Sequence, residues 1–145
     1  MATGDDNVSP VPNKIIKIKN HENKQLEFKY DGKLNEFTYR VTTNWSTLSN
    51  FKFSMWELNR PLDNQRVDDI VKLYKSQNIV DGVISCFVND ENNVVVYDGH
   101  HRMKALIKFH ENLKNSEDIF DVVMYNHVIT IDISLRYDDD YIKSR

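Results

Sequence analysis

An α/β (α+β) fold, one mixed sheet with helices packed on it, is predicted by three features of this chain. Two segments carry helical stripes, Val67, Ile70, Val71, Tyr74 and then Met103, Leu106, Ile107, His110, spaced i, i+3, i+4, i+7. Between them lie two short β-branched runs, GVISCFV and VVVY, joined by the polar cluster NDENN, as expected of a buried hairpin. Before and after this centre, apolar and polar residues alternate with a period of two. With 145 residues, of which 40% are hydrophobic, the chain suffices for one well-buried core and is short for two, so a single domain over 14–145 is expected.

The elements follow in order. Residues 1–13 hold Gly4, Pro10 and Pro12 and few apolar side chains, and read as a flexible leader. In KIIKIK, Ile16 and Ile18 alternate with Lys17 and Lys19, a strand with one wet face. Leu26, Phe28 and Tyr30 alternate, Asp31-Gly32 offers a turn, and Phe37, Tyr39 and Val41 alternate again, so 25–41 reads as a hairpin. Phe51, Phe53 and Met55 suggest a further strand, broken by Pro61, which cannot donate to a ladder. Asp63 is placed to cap a helix that runs to about Asn78, and the second helix should close near Asn115. IFDVVMY and HVITIDISL are strand-like, and an acidic, tyrosine-bearing tail, RYDDDYIKSR, ends the chain.

Composition narrows the function classes. Nineteen basic against 22 acidic side chains give a formal charge of −3, so no global field draws the protein to DNA or to an anionic membrane. No apolar run approaches the roughly 18 residues needed to cross a bilayer. Cys86 has no cysteine to pair with, and MATGDDNVSP has neither the basic nor the apolar region of a secretion signal, so an intracellular protein is expected. The five histidines include no His-X-X-X-His pair and there is one cysteine, which argues against structural zinc.

The chemistry concentrates in Tyr97-Asp98-Gly99-His100-His101-Arg102, set between the second buried strand and the second helix. Strand, glycine turn and helix start together present unpaired N–H groups and a positive helix end to an anion. Arg102 can hold phosphate oxygens through two parallel hydrogen bonds, and the imidazoles of His100 and His101 can donate to oxygens or stack on a base. Asp98, itself anionic, is either a helix cap or a ligand for Mg²⁺ between phosphates.

With the helix PLDNQRVDDIVKLYKSQN, the hairpin GVISCFVNDENNVVVYDG and the turn GHHRMKALIKF, residues 55–112 resemble the ParB/sulfiredoxin-like superfamily. The resemblance covers about two-fifths of the chain. It implies that ATP or another nucleotide binds with its phosphates on Asp98, Gly99, His100, His101 and Arg102, assisted by Arg60. Sulfiredoxins are similar at this turn but carry their nucleophilic cysteine directly after the glycine, where this chain has His100. Cys86 sits inside a buried strand and does not replace it. The partition proteins show Gly-Glu-Arg-Arg and a large helical DNA-binding domain after it, and neither is present here. The free-serine kinases look closer, with Asp-Gly-His-His-Arg and a His-Glu pair ahead of the first helix. In this chain Glu57 falls at that glutamate's place and Trp56 replaces the histidine. DGQHR proteins of DNA-modification systems also resemble it, through Asn59-Arg60 and Arg66-Val67. The expected function is nucleotide binding with phosphoryl transfer to a small acceptor or a protein: Glu57 the base, His101 and Arg102 neutralising phosphate charge, Asp98 placing Mg²⁺. The alternatives are a non-catalytic nucleotide- or DNA-binding module, or a ParB-like nuclease. The charge balance does not favour a nucleic-acid partner.

Overall fold

A computed structural model describes residues 14–77, 82–113 and 127–143. Within them one seven-stranded mixed sheet organises the molecule. The elements are β1 (Ile15–Lys19), β2 (Gln25–Lys33), β3 (Thr38–Thr43), α1 (Trp45–Leu48), β4 (Phe53–Met55), α2 (Asn64–Gln77), β5 (Val83–Val88), β6 (Val94–Asp98), α3 (His100–Leu113), β7 (Ile129–Ser134) and α4 (Asp139–Lys143). The strand order is β1-β2-β3-β7-β5-β6-β4, antiparallel except for the β7/β5 and β6/β4 pairs. The α/β (α+β) class expected from the periodicities is the observed one. No helix among the described residues is long and apolar enough to cross a membrane.

Alternation decides the faces of the sheet. Ile16 and Ile18, Phe28, Val41, Ile131 and Ile133, Ile84 and Cys86, and Val96 point to one side, where the inner stripes of α2 and α3 cover them. Val67, Val71 and Tyr74 are buried as the stripe predicts, and α3 adds Met103, Ala105, Leu106 and Phe109. The two helices pack against each other, with the Tyr74 and Phe109 rings 5.9 Å apart edge-on and Lys108 Nζ 2.5 Å from Asp68 Oδ1. On the other side of the sheet, Phe87 and Val95 pack under Ile142 of α4. The GVISCFV strand is thus covered on both faces, as its continuous apolar run implies.

One reading needs correction. Asp31-Gly32 is not the hairpin turn: β2 runs on to Lys33 with a register shift between Tyr30 and Gly32. The turn comes later because the Asn35 side chain builds it, Oδ1 accepting the Phe37 and Thr38 N–H groups at 2.9 and 3.1 Å while Leu34 N donates to Thr38 O at 2.8 Å. In the acidic tail, Asp138 Oδ1 accepts from Tyr141 N at 2.9 Å and starts the short α4 that buries Ile142. The leader, the IFDVVMY run and the expected close of the second helix near Asn115 lie outside the described residues.

Candidate functional site

The parallel pair β4/β6 ends at one edge of the sheet, and α2 and α3 both begin there. β6 finishes at Asp98, Gly99 turns the chain with φ 82°, and α3 starts at His100. Glycine is required there twice over. Its φ lies in the left-handed region, and a Cβ on it would stand 3.2 Å from Val83 O and 3.3 Å from Ile84 Cα. Asn44 and Asp63 cap α1 and α2 through their side chains, accepting Thr47 N at 3.0 Å and Gln65 N at 3.0 Å. Gly99 has no side chain with which to do the same for α3, and the first turn of α3 holds no acidic residue. The amides at the start of α3 are left facing the site, with the positive end of the helix dipole.

The loop from Trp56 to Pro61 is tied to the same strand. Trp56 N and Asn59 Nδ2 both donate to Val96 O, at 3.0 and 2.8 Å. This double bond to one carbonyl folds the loop over the end of β6. His101 joins the two helix starts: its Nε2 accepts from Asp63 N at 2.9 Å. A ring nitrogen that accepts carries no proton, so His101 is a neutral imidazole with its proton on Nδ1. Burial, then the neighbouring His100, then Arg66 depress its pKa below the ordinary histidine value. His101 is expected to help neutralise phosphate charge; here its Nε2 is taken up by Asp63 N, which leaves Nδ1 as the ring atom for any other contact.

Between these parts lies a cavity of about 500 Å³. Its lining mixes apolar side chains, Trp56, Leu58, Ile70, Leu73 and Tyr97, with Asn59, Arg60, Arg66 and the turn from Asp98 to Arg102; Arg66, Ile70 and Leu73 share one face of α2. Of the five described arginines, Arg40 and Arg136 lie elsewhere, each against a carboxylate at 2.9 and 2.6 Å. Arg60, Arg66 and Arg102 line the cavity without an acidic partner among the described residues. His100 Nε2 is buried and likewise has no hydrogen-bond partner among them. Its ring centroid is 4.2 Å from that of His101. Uncompensated cations, free amides and an orphaned imidazole nitrogen around one hollow are the makings of an oxyanion site.

Asp98, Gly99, His100, His101, Arg102 and Arg60 are therefore brought together as expected. Glu57 is not among the residues lining the cavity, and it is exposed. Asp98 is the sole carboxylate in the lining. It also lines a second hollow of about 550 Å³ on the far side of Trp56, Leu58 and Tyr97. Among the described residues no group of three or more histidine, cysteine or acidic side chains is placed to hold a metal. Cys86 is buried, and burial, then Asp132, pushes its thiol up to about 12, which makes it inert at neutral pH. The role of Asn59, which the sequence offers only beside Arg60 in the resemblance, was not foreseen. Asn59 acts through a bond to a carbonyl 37 residues away, which no local pattern marks. In comparisons with known proteins, the chain has no significant match to a family model, to a curated protein or to a solved structure.

Proposed function

We propose that this cavity binds a nucleotide through its phosphates, with ATP the first candidate. One observation carries the reading: three arginines with no carboxylate partner among the described residues converge on an uncapped helix start. The apolar side chains in the lining, Trp56, Leu58, Ile70 and Leu73, offer contacts for a base, and the volume of about 500 Å³ falls within the range of small-molecule sites. The resemblance of the Asp98–Arg102 turn to the ParB/sulfiredoxin-like superfamily points the same way. Arg60, Arg66 and Arg102 would meet phosphate oxygens, His100 Nε2 and the proton on His101 Nδ1 would supply neutral contacts, and the α3 amides would close the cradle. Mg²⁺ would come with the phosphates and take one protein ligand, Asp98, consistent with the reluctance of this ion to shed its water.

Whether phosphoryl transfer follows depends on a base. Glu57 stands outside the cavity lining, and this favours a second reading, a nucleotide-responsive binding module without turnover. Titrating ATP, ADP, CTP and GTP calorimetrically, with and without Mg²⁺, tests binding. Failure of all four to bind would remove the proposal. Release of phosphate or labelling of an acceptor by the wild type, lost in Glu57→Gln, would restore the kinase-like reading against the placement of Glu57.

A further inference from the structure

We infer that Gly82 is a positioning residue for Arg102, an inference that rests on the phosphate reading of the turn. Gly82 precedes β5, in a segment of the chain separate from the turn, and adopts φ +83°. A Cβ built on it would lie 2.6 Å from Arg102 Cζ, 2.6 Å from Nε and 3.1 Å from Cδ. The guanidinium therefore lies directly on the face of residue 82 that any side chain would occupy. No carboxylate among the described residues pairs with Arg102, and the bare backbone of residue 82 is the surface against which its guanidinium lies.

The atoms in the way belong to the end of a flexible side chain. A Cβ at 82 would cost the fold little packing, because Arg102 can swing aside, and the loss would appear at the anion. The neighbouring glycine differs in kind. A Cβ at Gly99 would meet Val83 O and Ile84 Cα, which are backbone and cannot move cheaply. Gly99 shapes the turn, whereas Gly82 keeps a berth open for the one arginine that the turn itself supplies.

The test is a double-mutant cycle read by calorimetric affinity for inorganic tripolyphosphate, which has no base to bind elsewhere. Gly82→Asn is the main variant, since asparagine tolerates the left-handed region best among residues with a Cβ. Gly82→Ala is the second, and thermal unfolding of each variant checks that it folds. Arg102→Ala should weaken binding by about 10- to 100-fold, as loss of a charge-assisted contact does. Gly82→Asn should weaken it by roughly 10-fold with Arg102 present, and by less than about twofold when Arg102 is already alanine. Equal losses in both backgrounds would mean that residue 82 acts by general distortion, and would overturn the inference while leaving the phosphate reading intact. No loss from Gly82→Asn or Gly82→Ala, with a clear loss from Arg102→Ala, would overturn it as well. No loss from Arg102→Ala would instead remove the phosphate reading of the turn, and the role of Gly82 with it.

Discussion

Acid should loosen this fold through His110, and the size of the effect follows from where the ring sits. His110 is 3% exposed on the inner face of α3, stacked on Trp45 with centroids 5.0 Å apart and planes 2° apart. Burial first, and the nearby His127 second, lower its pKa from 6.5 to about 4. A histidine with a depressed folded pKa binds its proton more readily when unfolded. Stability is therefore complete above about pH 6.5 and drains away as pH falls toward about 4. At about pH 5 the unfolded ring is favoured roughly 30-fold by its proton and the folded ring hardly at all, a loss of ~2 kcal/mol. The adjoining hollow of about 360 Å³ reaches the ring's edge and admits some screening, so we expect about 1 to 2 kcal/mol. Urea unfolding of wild type and His110→Phe at about pH 7.5 and about pH 5 measures it. Phenylalanine keeps a flat ring against Trp45 and Phe109 and removes the titration. The variant should lose less stability than the wild type between the two pH values, by that amount, whatever its absolute stability. Equal losses in the two proteins would show that His110 does not titrate in this window and that the argument from burial is wrong.

Three other outcomes are expected. Arg102→Ala should weaken ATP binding by about 10- to 100-fold with little change in thermal unfolding, because the side chain is exposed at a helix start. Cys86→Ser should leave nucleotide binding unchanged and lower stability in urea by about 1 to 2 kcal/mol; the cost is held down because a hydroxyl there can donate to Asp132 O, which the thiol meets at 3.6 Å. Lowering pH below the ordinary histidine value should destabilise the bridge between the helix starts, since a protonated His101 cannot accept from Asp63 N. The Asp63 amide should then exchange its hydrogen faster, in wild type and not in a His101→Phe variant that lacks the bond at every pH.

The parts legible in the sequence are those whose information is local. The stripe Val67, Ile70, Val71, Tyr74 with Asp63 before it identifies α2, and Gly99 between a valine run and a helical stripe identifies the turn. Asp31-Gly32 misled because a good turn dipeptide is also compatible with a bulge, and Asn35 was a stronger turn former three residues on. The insertion of β7 between β3 and β5 depends on pairings more than 40 residues apart in sequence, which no window of the chain encodes. Arg66 reads as an ordinary helix-start charge until α2 and α3 are seen to begin at the same cavity. The resemblance to the free-serine kinases implies that Glu57 faces the turn. Its actual placement is decided by two hydrogen bonds from Trp56 N and Asn59 Nδ2 to Val96 O, which present Trp56, Leu58, Asn59 and Arg60 to the cavity and leave Glu57 out.

A net charge of −3 and a cavity walled by three unpartnered arginines are compatible because they act over different lengths. At physiological salt the field of an exposed charge fades within about 8 Å, so distant acidic residues do little to offset the cavity and the cavity does little to recruit a distant polyanion. A long nucleic acid gains affinity by spreading many contacts along a basic track. Here the unpartnered cations gather around a single hollow of about 500 Å³ whose lining also carries Trp56, Leu58, Ile70, Leu73 and Tyr97. That distribution rewards an anion whose charge is compact and whose remainder is flat and apolar on its faces. A nucleotide has that form, with its charge at one end and a base at the other, whereas a duplex presents phosphates without a free base. The same arrangement argues that the site is formed before its ligand arrives. Val96 O anchors the Trp56–Pro61 loop, and His101 locks the start of α2 to the start of α3. With both sides of the hollow tied to β6 and α3, binding would need only local side-chain adjustment at the arginines.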